Sequence, residues 1–161
     1  MSTGIKLNLG CGSDIQSGYI NIDFRQRKGV VDHDLTKPLP YKDGSVEEVR
    51  AIDIIEHFDK FKVMGIIKDW CRVISPGGLM IIQTPDIKNI CERYYPKAKS
   101  GEITWERLST IINGGQDYHG NFHEVSFSFE WLSDILAKHG MTDFSKRDVG
   151  NQNMVIRCSK T

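Results

Sequence analysis

The first thirty-five residues constrain the fold more than any other part of this chain. They contain three short apolar runs, each followed by a turn or a carboxylate: residues 5–9 before Gly10-Cys11-Gly12, residues 19–22 before Asp23, and residues 29–32 before Asp34. Open α/β sheets bind ligands at the carboxyl ends of parallel strands, and a glycine lets the backbone approach a ligand closely. The pattern therefore predicts a nucleotide-type pocket, in which a strand-end carboxylate such as Asp23 accepts hydrogen bonds from a ribose diol.

Length and charge narrow the class of protein. The chain has 161 residues, of which 39% are hydrophobic and 26% charged, and this is typical of one globular domain spanning residues 1–161. Lysine plus arginine and aspartate plus glutamate both number 21, so the net charge is zero. Dedicated nucleic-acid binders usually carry a basic excess, so we expect no nucleic-acid partner.

The expected location and redox state follow from what the sequence lacks. No apolar stretch reaches the roughly 18 residues of a membrane span, and the first strand begins too early for a signal peptide. The cysteines at positions 11, 71, 91 and 158 show no CxxC spacing. We therefore expect a cytoplasmic monomer or homodimer with reduced thiols, no membrane association and no metal site.

The rest of the chain predicts alternating strands and helices. The expected elements are a fourth strand at 46–52, a helix at 59–74, a fifth strand at 79–82, helices near 86–95 and 102–113 joined by residues 96–101, a polar loop at 113–124, a helix between Ser128 and Gly140, and antiparallel strands at 141–149 and 153–158. Only residues 13–18 separate the glycine turn from the second strand. Parallel strands usually need a dozen or more connecting residues, so the first crossover helix is expected to be abbreviated.

Five motifs occur in an order that is specific when taken together. They are Leu7-Asn8-Leu9-Gly10-Cys11-Gly12, Asn21-Ile22-Asp23, His33-Asp34-Leu35 with Pro38-Leu39-Pro40-Tyr41 and Asp43-Gly44-Ser45, Ile54-Ile55-Glu56-His57-Phe58, and Arg72-Val73-Ile74-Ser75-Pro76-Gly77-Gly78. With these motifs the chain resembles the class I S-adenosylmethionine-dependent methyltransferases. The resemblance implies an α/β fold with a doubly wound, mostly parallel seven-stranded sheet and an antiparallel last strand.

The same resemblance implies a cofactor, S-adenosyl-L-methionine, and a set of residues that bind it. The backbone of Leu9, Gly10, Cys11 and Gly12 would line the methionine and ribose, Asp23 would accept from the ribose, Asp34 and the Leu35 amide would contact the adenine, and Asp53 would lie near the transferred methyl group. Asp32 is the alternative to Asp34, and both could instead stabilise the turn before Pro38. Asp23 could instead be a helix cap or a surface acid, and Asp53 an ordinary loop acid.

The expected reaction is methyl transfer to an oxygen or nitrogen of a small molecule or sugar. Candidates for the general base are His119 and His123, in the polar loop, and His57, because a histidine can take a proton near neutral pH. The pair Glu56-His57 could orient the substrate, or simply hold the local backbone. Residues 86–125 are expected to form a substrate cover within the single domain.

Two other functions remain open from the sequence. The chain could be a non-catalytic cofactor-binding or regulatory subunit with the same fold, since a fold alone does not establish activity. A nicotinamide-dependent dehydrogenase would also use Asp23. That enzyme class is disfavoured because the third glycine of G-x-G-x-x-G is replaced by Ile15 and no full helix follows the turn to receive a pyrophosphate.

Overall fold

The computed structural model describes residues 4–118 and 120–161. The strands are β1 (Ile5–Leu9), β2 (Ile20–Asp23), β3 (Val30–Asp32), β4 (Val46–Ile52), β5 (Ile74–Pro85), β6 (Met141–Asp148) and β7 (Asn153–Lys160). The helices are α1 (Lys60–Val73), α2 (Ile87–Asn89), α3 (Tyr95–Ser100), α4 (Trp105–Asn113) and α5 (Phe129–Ala137), with a 3₁₀ turn at Ile55–His57 and a π-helical segment at Ile90–Tyr94. None of these helices is both long enough and apolar enough to cross a membrane.

The strands form one seven-stranded sheet in the order β3-β2-β1-β4-β5-β7-β6. The pairs from β3 to β5 are parallel, and β7 runs antiparallel to both of its neighbours. These features confirm the predicted α/β class and the reversed last strand. Leu9, the last residue of β1, is in register with Ile22 on one side and Ala51 on the other, so the carboxyl ends of β1, β2 and β4 are adjacent.

The connections among the first four strands are unusually short. Residues 10–19 contain turns and no helix, as predicted, and residues 24–29 and 33–45 also contain none, so the abbreviation extends further than the sequence suggested. Side-chain amides hold the first connection against the sheet instead. Asn8 Nδ2 donates to the Asp14 carbonyl at 2.8 Å, and Asn21 Oδ1 accepts from the Gln16 amide at 2.9 Å.

Helices α1 and α5 cover one face of the sheet and share its main core. The buried positions of α1 recur at helical spacing, as in Val63, Ile66, Ile67 and Trp70, and each such side chain contributes about 1.5–3 kcal/mol by leaving water. No helix from the three short connections covers the opposite face. That face is polar across β1 and β4, where Lys6 and Glu48 are paired in register and their side chains form an ion pair at 3.4 Å.

The predicted helix at 86–95 is longer and less regular in the structure. Sequence reasoning placed its end before Pro96, because proline lacks an amide hydrogen and its ring collides with the carbonyl four residues earlier. In the structure, the π segment Ile90–Tyr94 precedes the proline, and the Tyr95 amide bonds to the Ile90 carbonyl. The wider i→i+5 turn lets the helical path pass Pro96 and end at Gly101, which has a φ of 82°.

Strand β5 is also longer than predicted. The sequence placed the strand at residues 79–82, after the helix stop Pro76-Gly77-Gly78, with its end at Thr84-Pro85-Asp86. The strand begins at Ile74, immediately after α1, where Ile74 is in register with Val46 of β4. A shift in the β4–β5 register between Val46 and Glu48 absorbs the Pro-Gly-Gly residues.

Candidate active site

A cavity of about 630 Å³ opens where the carboxyl ends of β1, β2 and β4 meet. Six of the residues that the sequence predicted for the cofactor line it: Gly10, Gly12, Asp23, Asp34, Leu35 and Asp53. Leu9 and Cys11 lie beside Gly10 with buried side chains, and the Cys11 amide donates to the Ile22 carbonyl at 3.1 Å. The carboxyl ends of four adjacent strands, β3, β2, β1 and β4, therefore bring most of the predicted set to one site.

The two glycines of the first turn are required for different reasons. Both have positive φ angles, 63° at Gly10 and 51° at Gly12. A Cβ at Gly10 would lie 2.3 Å from Ile54 Cγ1, whereas one at Gly12 would have no atom of the described residues within 4 Å. Gly10 thus permits close packing of the turn on the segment after β4, and Gly12 leaves its backbone open to the cavity.

Asp23 is the last residue of β2 and is almost fully buried at the cavity wall. Its Oδ2 accepts from the Gly12 amide at 2.8 Å, and its Oδ1 accepts from the Arg25 amide at 2.9 Å. A carboxylate oxygen can accept two hydrogen bonds, so each oxygen keeps capacity for one more donor. The carboxylate can therefore hold the glycine turn and still accept from both hydroxyls of a diol.

The segment after β3 brings Asp34 and Leu35 to the cavity. Asp34 Oδ1 accepts from the amide and the hydroxyl of Thr36, and these hydrogen bonds hold the pKa of Asp34 below its ordinary value. Asp32, the alternative from the sequence, accepts from Gln26 Nε2 at 3.2 Å on the surface and is not among the residues that line the cavity. The placement favours Asp34 over Asp32, and the contact with adenine remains a prediction.

His33 is a cavity residue that the sequence analysis did not single out. Its Nε2 is buried and has no hydrogen-bond partner among the described residues. A buried polar nitrogen without a partner is uncommon in proteins and indicates a missing one. The only signal in the sequence is its position between the two candidate acids at the end of β3.

Asp53 follows β4 in a left-handed conformation with a φ of 51°. Its Oδ1 accepts from Asn153 Nδ2 and its Oδ2 from Gln83 Nε2, both at 2.8 Å, so β5 and β7 fix the carboxylate at the cavity. The concave surroundings remove solvent from the carboxyl group and raise its pKa.

Three further side chains meet near Asp53, and of these His57 lines the cavity. The rings of His57 and His123 are edge to face, with centroids 5.1 Å apart, and both lie next to the buried Glu56. His57 Nδ1 is 2.8 Å from the Phe122 carbonyl and His123 Nδ1 is 3.2 Å from the Ile112 carbonyl. A carbonyl can only accept, so Nδ1 carries the proton and Nε2 the lone pair in each neutral ring.

Burial has the largest influence on the pKa values of Glu56, His57 and His123. It raises the pKa of Glu56 to about 8 and lowers the pKa values of both histidines. His57 and His123 are two of the three predicted base candidates, and the fold brings them together. The carbonyl partner of the His57 ring belongs to Phe122, which is 65 residues further along the chain. The third candidate, His119, lies outside the described residues.

The loop after α4 lies across the cavity. The amides of Glu124 and Val125 donate to the Glu56 carbonyl, which ties the end of this loop to the 3₁₀ turn. Tyr118 lines the cavity, and the Arg25 guanidinium lies 4.6 Å from the centre of its ring. Sequence reasoning did not identify Arg25, because a contact between two loops leaves no periodic signal.

Comparisons with known proteins found similar structures but no close relatives in sequence. No protein-family model and no curated protein matches the sequence. A methyltransferase from Thermotoga maritima, named as S-adenosylmethionine-dependent and a possible histamine N-methyltransferase, has 19% identity and a TM-score of 0.67 over 100% of this chain and 84% of its own. An S-adenosylmethionine-dependent methyltransferase from Archaeoglobus fulgidus has 16% identity and a TM-score of 0.65 over 98% and 86%.

A third structure, human N-acetylserotonin methyltransferase in complex with S-adenosylmethionine, has 12% identity and a TM-score of 0.63 over 97% of this chain and 47% of its own. At identities below 20% these similarities establish the architecture. The strand order, the reversed β7 and these neighbours agree, and the chain has the class I S-adenosylmethionine-dependent methyltransferase fold.

Proposed function

We propose that this protein binds S-adenosyl-L-methionine and transfers its methyl group to an oxygen or nitrogen of a small molecule or sugar. The observation that carries the proposal is the Asp23 carboxylate, which bonds to the Gly12 amide at the cavity wall and retains a free acceptor site on each oxygen. Solved structures of the same fold are named as methyltransferases that use this cofactor, and this supports the proposal.

The cavity fits such a cofactor in three respects. Its volume of about 630 Å³ is within the 300–1,000 Å³ typical of small-molecule pockets. The open space beside Gly12 admits a ligand close to the backbone, and the buried His33 Nε2 lacks a partner among the described residues. A purine offers both donors and acceptors that such a nitrogen could use.

The proposed roles follow the positions along the cavity. Asp23 would accept from the two ribose hydroxyls, Asp34 and the Leu35 amide would contact the adenine, and the backbone around Gly10 and Gly12 would contact the methionine part. Asp53 would lie at the methyl-transfer end. When bound, the cofactor supplies an electrophilic methyl group on a sulfonium.

At the other end, the protein has to orient the acceptor, exclude water and remove one proton. His57 and His123 carry Nε2 lone pairs and could take a proton from a hydroxyl or amine, and His119 is a further candidate. Residues 86–125 would form the acceptor cover. Orientation alone can supply about 7–11 kcal/mol of the barrier in favourable reactions, so few chemical groups are needed.

The proposal also covers the class of acceptor, the location and the oligomeric state of the enzyme. A net charge of zero supports a small-molecule acceptor over a nucleic acid. A single domain that acts in the cytoplasm as a monomer or homodimer is the simplest form consistent with this reasoning.

Calorimetric titration with S-adenosylmethionine and with its demethylated product, S-adenosylhomocysteine, tests the cofactor assignment. Binding at micromolar concentration is expected for the natural protein and for Asp32→Ala, a matched control at the end of the neighbouring strand, outside the cavity. Asp23→Ala should lose at least about tenfold in affinity, because it removes two charge-assisted hydrogen bonds to the ligand. Circular dichroism shows whether each variant is folded.

Absence of binding by the folded natural protein, or equal affinity in Asp23→Ala, would contradict the assignment. Catalysis is tested by transfer of labelled methyl groups to a panel of alcohols, amines and sugars. Cofactor binding without transfer to any acceptor, even with a cell-extract fraction of small molecules, would favour the non-catalytic subunit.

A further inference from the structure

Glu56 is a buried carboxylate for which the described residues provide no cationic partner. It is 2% exposed, and its Oε2 accepts a hydrogen bond from the Thr84 hydroxyl at 3.0 Å. No ion pair in the described residues involves it, and the nearby charge is the Asp53 carboxylate, which has the same sign. Burial of an ionised carboxylate is costly unless a cation or several donors compensate it, so a cation bound here would stabilise the ionised form of Glu56.

Two imidazole rings supply neutral ligands beside this carboxylate. Glu56, His57 and His123 each offer one ligand-capable atom, and these three atoms all lie within 4.8 Å of one another. A Zn²⁺ ion with bonds of about 2.0–2.2 Å places its tetrahedral ligands about 3.4 Å apart, so small side-chain rotations would close the site.

The hydrogen bonds of the two rings match those that metal-bound histidines make. Metal-bound histidines almost always donate the hydrogen of the second ring nitrogen to a carbonyl or carboxylate, which fixes the tautomer and the ring orientation. His57 and His123 have their Nδ1 atoms at the Phe122 and Ile112 carbonyls, so Nε2 is the nitrogen left to bind an ion. The Phe122 carbonyl is far from His57 in the sequence, so this arrangement depends on how the loop that contains Phe122 folds.

We propose that Glu56, His57 and His123 bind a divalent transition-metal ion such as Zn²⁺, whose remaining positions face the cavity and take an oxygen atom of the acceptor. Two imidazoles and one carboxylate suit zinc and its neighbours better than magnesium or calcium, which prefer oxygen ligands. Three protein ligands leave positions open, as in catalytic rather than structural metal sites. The sequence predicted no metal site because its four cysteines show no CxxC spacing, and His57 and His123 are 66 residues apart in the chain.

The acceptor role rests on the proposed methyl transfer, whereas the ion binding does not. A lone pair that binds a cation cannot also accept a proton. In the metal-bound protein the two rings would therefore act through the ion, which lowers the pKa of an oxygen bound to it. This narrows the acceptor to a molecule with a hydroxyl or a carboxylate close to the methylated position.

Titration of untagged, chelator-treated protein with Zn²⁺ tests the site directly. One equivalent should bind, and affinity should fall at least about 100-fold in Glu56→Gln and in His123→Gln, because loss of an outer-shell partner alone costs 10–100-fold. Gln at position 56 can still accept from Thr84, so folding should be retained. His139→Gln, at the distant carboxyl end of α5, is the matched control and should bind like the natural protein.

Failure of the folded natural protein to bind one equivalent, or equal binding by Glu56→Gln and the control, would overturn the proposal. Open positions are tested with the Co²⁺-loaded protein, whose visible absorption should change when acetohydroxamate, a chelating oxygen ligand, is added. An unchanged spectrum would rule out an oxygen-binding role.

Two crossed measurements separate this proposal from that of the methyltransferase. Asp23→Ala should keep its Zn²⁺ affinity and lose S-adenosylhomocysteine, whereas Glu56→Gln should do the reverse. If the natural protein binds the nucleoside but not Zn²⁺, the proposed function stands and the metal site is refuted. If it binds Zn²⁺ but not the nucleoside, the metal site stands and the proposed methyltransferase function is refuted.

Discussion

Replacing each glycine of the first turn by alanine separates the packing of this turn from its use by a ligand. Both Gly10 and Gly12 have positive φ angles, so alanine is strained at either position by about 1–2 kcal/mol. The two sites differ in what a new methyl group would meet. At Gly10 it lies 2.3 Å from Ile54 Cγ1 and 2.8 Å from Ile54 Cβ, and at Gly12 it meets no atom of the described residues within 4 Å.

The magnitudes follow from that difference. Overpacking against Ile54 adds about 1–3 kcal/mol at Gly10, and alanine recovers about 0.4–1 kcal/mol by restricting the unfolded chain. Gly10→Ala should therefore lower the free energy of unfolding by about 2–4 kcal/mol, and Gly12→Ala by about 1 kcal/mol. The methyl group at Gly12 projects into open space at the cavity, so Gly12→Ala should weaken nucleoside binding at least about tenfold.

Urea unfolding and calorimetric binding of S-adenosylhomocysteine measure both effects on the same samples. Ile54→Ala removes the Cγ1 and Cδ1 atoms nearest to the new methyl group, so in the double variant it should offset about 1–2 kcal/mol of the Gly10→Ala penalty. Equal destabilisation at the two glycines, additive effects with Ile54→Ala, or unchanged binding by Gly12→Ala would refute the reasoning.

Further perturbations test the contacts that replace the missing helices. Arg72 donates to the carbonyls of the 33–45 segment and to two carboxylates, so Arg72→Lys should lower the free energy of unfolding by about 1–2 kcal/mol in urea titrations. Burial and the hydrogen bond to Glu48 raise the pKa of Tyr19 from 10.0 to about 12. The folded state then holds the proton more tightly, so the stability difference between the natural protein and Tyr19→Phe should be constant below pH 9 and shrink from about pH 10 to 12. Tyr118→Ala should raise the dissociation constant for S-adenosylhomocysteine about 2- to 5-fold through loss of the Arg25 contact, whereas Tyr118→Phe should not.

The early part of the fold was predictable because its strands end in residues with distinct chemistry. The apolar run at 5–9 coincides with β1, and Asp23 ends β2 one residue beyond the predicted strand. The course around Pro96 was not predictable, because the π segment that accommodates the proline depends on one bond from Tyr95 to Ile90 rather than on composition. The predicted break at residues 96–101 is therefore wrong, because a local change of hydrogen-bond register overrode the low helix propensity of proline.

The two ends of the site differ in how far the sequence could determine them. Gly12, Asp23 and Asp34 lie at strand ends or within three residues of them, and parallel pairing brings strand ends together. The other end depends on a loop that folds back to bring His123 beside His57, 66 residues earlier in the chain. Sequence reasoning named both histidines from their chemistry and position in the chain. It could not predict that they touch, nor that Glu56 lies buried beside Thr84 of β5 and the loop that contains Glu124.

The missing crossover helices change what the polar residues of the cavity have to do. No helix follows the glycine turn in this chain, so side-chain hydrogen bonds hold the turn. Here the Asp23 carboxylate bonds to the Gly12 amide, and Asn8 and Asn21 hold the rest of the loop. Structural and ligand-binding roles therefore fall on the same side chains. It follows that a ligand bound to Asp23 also orders the loop that Asp23 holds, so saturating nucleoside should protect the amides of residues 10–19 from hydrogen exchange more than those of α1.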